Sequence, residues 1–323
     1  MAANRVTVVG SFNVDHVWTA AALPRPGETL AGRYHSGPGG KGFNQAVASA
    51  RAGASTSFVC ALGADSGGQL ARALAVADGI DLRDQPSDAP TGTAGIFVGS
   101  DGANSIVIGP GANAAMTPSF VDAQRAAMAE SAVVLVQLES PVASITRALQ
   151  LAGEAGATRM LNPAPANVEV PTELLALADL LTPNETEFAA LLRRHGGDEV
   201  DAASLAALND ELLHTHCRRL LPHGTVVVTL GAAGCFVSHA PQDLRGDGLQ
   251  HYRVAGEAAQ AIDTTGAGDA FNGALAAALA RDAQRPFAQQ VKFANRYAAM
   301  STENAGAAAA MPRLADVIGR FGG

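Results

Sequence analysis

The sequence has 323 residues, 48% of them hydrophobic and 16% charged, and a formal net charge of -8 from 22 basic and 30 acidic residues. It can fill a large core, and it has no basic block, which argues against nucleic acid as the main partner. Three widely spaced cysteines without a Cys-x-x-Cys pair argue against a disulfide framework or zinc site and fit a reduced cytosol. No apolar run reaches about 18 residues, so neither a membrane span nor membrane association is expected.

The first third of the chain alternates strand and helix patterns. Hydrophobic periodicity predicts strands at 6–9, 12–19, 29–35 and 57–62, and helices at 43–52 and 68–78. Two further short runs, 96–98 and 105–108, flank the turn residues Gly99-Ser-Asp-Gly102, which is typical of a hairpin. Because this hairpin interrupts a βα pattern, we expect it to join segment 12–35 in a small antiparallel lid outside the main sheet.

The remainder of the chain follows a regular βα rhythm. Strands are predicted at 132–138, 158–161, 180–181 and 225–230, and helices at 142–155, 172–178, 185–194, 205–221, 270–280 and 286–303. A second hairpin begins at Cys235 to His239. This order of elements indicates an α/β fold, with helices packed on a mostly parallel central sheet.

Polar side chains and glycines follow nearly every predicted strand. In an open parallel sheet, ligands bind beyond the carboxyl ends of the strands, so these clusters converge on one edge and predict a binding site. The fork-like or charged groups among them suit a polyhydroxyl ligand, although each alone could be a turn cap or a solvated residue: Asn13, Asp15, Lys41, Asn44 and Glu139.

A glycine-rich turn, Asp263-Thr-Thr-Gly-Ala-Gly-Asp269, runs directly into a stretch of strong helix formers. The free N–H groups and the dipole of a helix N-terminus create an anion site. Asp269 at the edge of this site can accept a proton. Transfer of a phosphoryl group to a hydroxyl requires such a base next to an anion-binding site. A plain βα turn with an aspartate cap would explain the same residues.

Other motifs leave alternatives open. Asn184-Glu-Thr-Glu187 could order a water-bound Mg²⁺, or it could simply cap a helix with first-turn acids. Gly231-Ala-Ala-Gly234 could support a nucleotide on bare backbone, but it lacks the Walker spacing. His214 and His216, two positions apart on a predicted helix, should face apart and lie at the surface.

Two longer motifs resemble the signatures of the ribokinase (PfkB-type) family of sugar kinases: Gly39-Gly-Lys-Gly-Phe-Asn-Gln-Ala46 and Asp263 to Gly273. Further similar segments extend this resemblance, in the family's order, from residue 6 to about 312: Gly10-Ser-Phe-Asn-Val-Asp-His16, Pro26-Gly-Glu-Thr29, Gly111-Ala-Asn-Ala114, Gln137-Leu-Glu-Ser-Pro141, Asn162-Pro-Ala-Pro-Ala166, Thr182-Pro-Asn-Glu-Thr-Glu187 and Thr229-Leu-Gly231. The resemblance implies one ribokinase-like domain over 1–323, a three-layer α/β sandwich, with a β lid from about 12–36 and 92–110.

The resemblance also implies ATP-dependent phosphorylation of D-ribose at O5, with Asp269 as the base. Gly266, Ala267 and Gly268 would form the anion hole. The residues implied to bind the sugar, in addition to Asp269, are Ser11, Asn13, Asp15, Gly39, Gly40, Lys41, Asn44 and Glu139. Those implied for the nucleotide are Asn184, Thr229, Gly231, Gly234, Gly268 and Asn295.

For metals, the resemblance implies that Glu187 helps to place Mg²⁺ and that a potassium ion activates the enzyme. The residues implied for this monovalent-cation site are Asp263, Thr265, Ser301, Asn304, Gly306 and Ala310. The lid would cover the sugar and would also pair two subunits into a cytoplasmic homodimer.

Three departures from the family pattern stand out. Phe43 occupies a position where the family usually has alanine, so it either packs in the core or narrows the sugar pocket. Ala310 replaces a serine whose hydroxyl could have helped the cation. The segments 193–224 and 239–260 are longer than usual, and the second bears on nucleotide preference.

Two other functions remain open from the sequence. A kinase of 2-deoxyribose, fructose or adenosine could use the same scaffold. A sugar-sensing protein without turnover is the non-enzymatic alternative, although a pure binder needs no base at Asp269.

Overall fold

The β-branched run near the amino terminus forms the interior strand β1 (Arg5–Val9), which pairs in parallel with a strand on each side. The coordinates are a computed structural model that describes residues 4–322. The other strands are β2 (Asn13–Ala20), β3 (Arg33–Gly39), β4 (Ser55–Gly63), β5 (Asp81–Ser87), β6 (Gly92–Gly99), β7 (Asn104–Gly109), β8 (Val133–Val136), β9 (Thr158–Leu161), β10 (Leu180–Leu181), β11 (Thr225–Thr229), β12 (Cys235–Ser238) and β13 (His251–Val254).

Helices occupy most of the segments between these strands. They are α1 (Lys41–Arg51), α2 (Ser66–Ala77), α3 (Pro118–Ala123), α4 (Arg125–Ala129), α5 (Val142–Ala155), α6 (Thr172–Leu177), α7 (Glu185–Leu191), α8 (Asp210–Leu220), α9 (Ala267–Arg281), α10 (Phe287–Ser301) and α11 (Leu314–Phe321). None of the helices within residues 4–322 is long and apolar enough to cross a bilayer.

The main sheet has nine strands in the order β13-β12-β11-β10-β9-β8-β1-β4-β5. All neighbours pair in parallel except at the β13 edge, where β12 pairs antiparallel with both β11 and β13. Side chains alternate between the two faces of a strand, so Val8 lies in the core under α1 and α9, whereas Val9 lies in the core under α5. The mostly parallel α/β sandwich predicted from the sequence is therefore confirmed.

The lid is a separate four-stranded sheet in the order β3-β2-β6-β7. Its outer pairs are antiparallel, while β2 and β6 pair in parallel. One face carries an aromatic row in which the Trp18 ring lies 5.2 Å from the rings of both Tyr34 and Phe97. The lid predicted outside the main sheet is thus confirmed.

Several element boundaries differ from the prediction. The strand expected at 29–35 starts only at Arg33 and continues to Gly39. The helix expected at 205–221 starts at Asp210, because the Asn209 side chain caps it and 202–207 forms a separate 3-10 turn. The helix expected at 185–194 ends at Leu191 and continues as a π turn. The sequence reading missed β5, α3, α4 and α11.

The prediction that His216 lies at the surface was wrong. The residue is 6% exposed because it shares the buried face of α8 with Leu213, Cys217 and Leu220. The imidazole Nδ1 lies 3.1 Å from Oδ2 of Asp198. Spacing from His214 alone could not reveal which of the two histidines joins the apolar row.

Candidate active site

The turn at 263–269 forms the N-terminus of α9, as its composition predicts. Gly266 caps the helix with φ of 76°, a left-handed conformation that favours glycine. A Cβ at Gly266 would lie 2.9 Å from Cβ of Ala307, so the turn packs closely on that segment. A Cβ at Gly268 would meet no atom within 4 Å, because this residue faces an open cleft.

Asp269 lies in the first turn of α9 and is only 6% exposed. Its Oδ2 accepts a hydrogen bond of 2.9 Å from Asn44 Nδ2, and its Oδ1 accepts one of 2.9 Å from Gln45 Nε2. Burial raises the pKa of Asp269 above its ordinary value, although the Lys41 charge and the two amides oppose the shift. A carboxylate with a raised pKa is the better proton acceptor, which suits a general base.

Lys41 lies among three carboxylates at the start of α1. Burial alone would lower the pKa of its ammonium group, but the charges of Asp269, Glu139 and Glu187 raise it. The ammonium group therefore stays charged beside the anion site. A positive charge held there can neutralise a transferring phosphoryl group.

The predicted sugar residues converge where β1 leads into the lid. Glu139 Oε2 accepts hydrogen bonds from the Ser11 hydroxyl (2.6 Å) and from the Lys41 N–H (2.9 Å). Burial, with the charges of Glu139 and Asp269, raises the pKa of the half-buried Asp15 to about 6. These side chains form a polar group of donors and acceptors of the kind that a polyhydroxyl ligand needs.

Two glycines at the start of α1 are required by the close approach of β2. A Cβ at Gly39 would lie 2.1 Å from Oδ2 of Asp15, and one at Gly40 would lie 2.8 Å from the backbone nitrogen of Asn13. Gly40 also has φ of 86°. A side chain at Gly40 would push the backbone of Phe12 and Asn13 away from α1, whereas one at Gly39 would displace the Asp15 carboxylate.

Asn113 is a residue whose role the sequence reading missed. Its Nδ2 donates to Oδ1 of Asn13 (2.8 Å) and to the backbone oxygen of Phe12 (2.9 Å), and its Oδ1 accepts from the Phe12 N–H (3.0 Å). It therefore orients the amide of Asn13. The segment around Asn113 was similar to the family, but nothing in the sequence placed it beside Asn13.

A buried row of amides behind Asp269 was also missed. Gln137 Nε2 donates to Gln45 Oε1, and Gln45 Nε2 donates to Asn162 Oδ1 at 3.0 Å as well as to Asp269. Asn162 in turn donates 2.9 Å to the backbone oxygen of Thr182. Each amide fixes the orientation of the next, so the row holds the carboxylate at one angle.

A cavity of about 150 Å³ lies in front of α9. It brings together the predicted base, anion hole, lysine and Mg²⁺ residue with part of the predicted nucleotide set. These are Asp269, Gly266, Ala267, Gly268, Lys41, Glu187, Asn184 and Thr229. Its wall also includes Asn162, Ala164, Thr182, Thr264 and Asn272, for which no role had been predicted. The phosphoryl end of the predicted site is therefore one continuous space.

Asn184 and Thr229 pair across neighbouring strand ends as a parallel bridge. Asn184 and Glu187 also form a capping box, in which Glu187 Oε2 accepts the Asn184 N–H at 2.9 Å and Asn184 Oδ1 accepts the Glu187 N–H at 2.9 Å. Burial raises the pKa of Glu187. Of the two interpretations offered for this motif, the capping one is realised, and Glu187 lines the cavity as well.

Three predicted nucleotide residues lie away from that cavity, on the side of β12 and β13. Gly231 opens a 3-10 turn with φ of 52°. A Cβ at Gly234 would lie 2.1 Å from the Val254 backbone oxygen. Asn295 Nδ2 donates to the backbone oxygens of Val254 and Ala255, both at 3.4 Å. The last two thus converge on the end of β13.

Of the predicted cation residues, Thr265 and Gly306 contact Asp263. Its Oδ1 accepts the Thr265 N–H at 2.9 Å, and its Oδ2 accepts the Gly306 N–H at 2.8 Å. Burial alone would raise the pKa of Asp263, but hydrogen bonds from Thr265 and Gly306 lower it, so the carboxylate keeps its charge. Ala310 is buried and adds no side-chain ligand.

A model of the family described as pfkB family carbohydrate kinase matches residues 3–314 of the sequence. The chain belongs to the PfkB family of carbohydrate kinases. It is 38% identical over 317 residues to a ribokinase of Haemophilus influenzae, with 97% of both chains covered. It is 35% identical over 316 residues to a ribokinase of Mus musculus, covering 97% of this chain and 93% of the relative.

Solved structures agree with this PfkB assignment. An Arabidopsis thaliana ribokinase complexed with ribose and ATP matches with a TM-score of 0.83 and 31% identity, over 99% of this chain and 98% of that one. A Giardia lamblia ribokinase matches with a TM-score of 0.85 and 27% identity, over 99% of this chain and 100% of that one. The family resemblance inferred from the two signature motifs is confirmed.

Proposed function

We propose that this PfkB kinase transfers the γ-phosphoryl group of ATP to O5 of D-ribose. The observation that carries the proposal is the buried carboxylate of Asp269, held by two amides at the mouth of the α9 N-terminus and open to a phosphoryl-sized cavity. The similarity to ribokinases of several organisms, and to one solved with ribose and ATP, supports ribose as the sugar.

In the proposed reaction, Asp269 accepts the proton of the sugar hydroxyl. The hydroxyl oxygen attacks the γ-phosphorus of ATP, and the bond between the γ-phosphorus and ADP breaks. The N–H groups at Gly266 to Gly268 receive the negative charge of the transferring group, and Lys41 neutralises part of it. Asn13, Asp15 and Glu139 orient the sugar. Lid closure would exclude water, which would otherwise compete for the phosphoryl group.

Two metal ions complete the proposal. Glu187 lines the cavity and is proposed to help hold the water shell of a Mg²⁺, which would neutralise the ATP phosphates. A potassium ion is proposed between the Asp263 turn and the 301–306 segment. The fit rests on the Asp263 carboxylate, whose pKa is lowered, and on the close approach of this turn to Gly306 and Ala307.

We also propose a homodimer formed through the lid. The outer strand β7 exposes Ile106, Val107 and Ile108 on consecutive positions, at 52%, 68% and 47% exposure. Contiguous exposed apolar surface on an edge strand is typical of an interaction site.

The whole chain is proposed to act as one domain. Its three free, buried cysteines fit a cytoplasmic location.

The experiment that tests the function is a panel of coupled ADP-release assays with ribose, 2-deoxyribose, fructose and adenosine. We expect the largest kcat/KM for ribose, and ³¹P NMR of the product should show a phosphate ester at O5. A larger kcat/KM for another acceptor would reassign the substrate. Ribose binding without ADP release would instead support the sugar sensor.

A further inference from the structure

Arg51, in the last turn of α1, makes contacts that no part of the proposed mechanism uses. Its Nη1 donates to the backbone oxygens of Ala308 (3.2 Å), Ala309 (3.3 Å) and Met311 (2.9 Å). These carbonyls belong to the segment 307–311, which we call the 307–311 turn. One guanidinium nitrogen thus donates hydrogen bonds to three carbonyl oxygens of a turn that is distant in the sequence.

The other side of the guanidinium is fixed by Asp78. Arg51 Nε donates to Asp78 Oδ1 at 2.8 Å and Nη2 donates to Oδ2 at 2.9 Å, a bidentate pair. The side chains are only 19% and 6% exposed. The two hydrogen bonds to Asp78 prevent the planar guanidinium from rotating, so Nη1 points towards the turn in one direction.

The 307–311 turn leads directly to the catalytic end of α9. Ala307 is the residue against which Gly266 packs, with no room for a Cβ between them. The preceding residue, Gly306, donates its N–H to the Asp263 carboxylate. The turn therefore contacts the anion hole, and the residue directly before it contacts the proposed cation ligand Asp263.

Helix α1 itself joins the two ends of this arrangement. Asn44 and Gln45 in its first turns hold Asp269, while Arg51 in its last turn holds the 307–311 turn. Between them, α9 packs on α1 so closely that a Cβ at Gly273 would lie 2.4 Å from the Gln45 backbone oxygen. One rigid helix thus spans the distance from the base to the turn behind the anion hole.

We propose that Arg51 is a positioning residue that holds the 307–311 turn and, through it, the spacing between Asp263 and the anion-hole glycines. The inference rests on the proposed function for its catalytic meaning. Its structural part is that loss of the Arg51 guanidinium loosens the segments 263–268 and 304–311. That part does not depend on which sugar is phosphorylated.

The test compares Arg51→Lys with Arg159→Lys. Arg159 makes the same kind of bidentate pair with Asp179, outside the cavity. Its substitution is therefore a matched control for the loss of a bidentate arginine–carboxylate pair. Hydrogen exchange is measured on substrate-free protein, together with the rise in Tm when KCl replaces NaCl. Lysine keeps the positive charge, but its single ammonium group cannot donate hydrogen bonds to three carbonyl oxygens and a carboxylate at the same time.

We expect Arg51→Lys to speed amide exchange in 263–268 and 304–311 by about tenfold and to reduce the rise in Tm that KCl gives over NaCl, whereas Arg159→Lys changes neither. The KM for ribose should stay within about twofold, since α1 keeps its sugar contacts. If Arg51→Lys does not fold, Asp78→Asn, which loosens the fork but keeps Arg51, should show the same pattern more weakly.

Equal exchange of both segments in the variant and the parent protein would overturn the inference, and so would a uniform rise across the chain matching that of Arg159→Lys. Failure of the proposed function is a separate result, because it would appear as absent ADP release in the parent protein. The exchange measurement would still report on Arg51.

Discussion

Gln45 Nε2 donates a hydrogen bond of 2.9 Å to Oδ1 of Asp269, while its neighbour Asn44 donates one of 2.9 Å to Oδ2. Two consecutive residues of α1 thus hold one oxygen each of the same carboxylate. Each oxygen keeps a further lone pair with which to accept a substrate hydroxyl.

Asp269→Asn should lower kcat by about 10² to 10⁴, as expected for the loss of a general base. Ribose affinity, measured by calorimetry, should change far less, because the sugar contacts of the lid remain. Asp201→Asn, which alters the capping residue of a 3-10 turn, is the control. Unchanged turnover of Asp269→Asn would remove this residue from the mechanism.

The rate at low ribose concentration should fall as the pH drops below about 6. The pKa of Asp15 is raised to about 6, so in the free enzyme its carboxylate is ionised above that pH and protonated below it. Protonation removes an acceptor for the sugar, and kcat/KM reports groups of the free enzyme. A pH profile from 5 to 8 checks this, and Asp15→Asn should lose that acidic limb while having a lower plateau. Persistence of the limb in the variant would assign it to another group.

The two glycines of the anion hole should respond differently to alanine. Gly268→Ala adds a methyl group that meets no protein atom but enters the cleft, so kcat should fall by roughly 10² to 10³, the cost of disturbing an oxyanion hole, at an unchanged Tm. Gly266→Ala forces a left-handed alanine against Ala307 and should also cost about 1–2 kcal/mol of stability. Similar Tm losses in both variants would contradict this distinction.

Phe43→Ala should destabilise the fold by about 3–5 kcal/mol with little effect on the KM for ribose. The ring is 1% exposed and packs between Phe12 (centroids 5.1 Å apart) and Phe58 (5.9 Å), so of the two interpretations offered for it, core packing is the one realised. Denaturant unfolding and ribose kinetics measure the two effects. A large drop in KM would mean that the ring restricts the sugar pocket after all.

Val107→Asp should convert the proposed homodimer into monomers, because a carboxylate would be buried in the lid interface. Light scattering after gel filtration measures the mass. Val76→Asp is the control, since Val76 is an exposed valine (81%) on α2, outside the lid. A parent protein that is already monomeric would contradict the dimer directly.

The sequence allowed the parallel sheet, the lid and the α9 turn to be predicted, because each has a local pattern: β-branched runs, turn residues between short strands, and glycines before helix formers. It did not reveal the amide row of Gln45, Gln137 and Asn162. These residues are neighbours only after three distant segments pack, and a buried amide looks like any polar residue in a sequence. The same holds for Arg51, whose partners lie far along the chain.

Trp18 is the only tryptophan of the chain, and it lies in the lid between Tyr34 and Phe97. Its ring is 38% exposed, so its surroundings would change if the lid moved or if a second subunit covered it. The intrinsic fluorescence of the protein at tryptophan wavelengths therefore comes from the lid alone. Ligand titrations can report on this one sheet without any label and without interference from the main sheet.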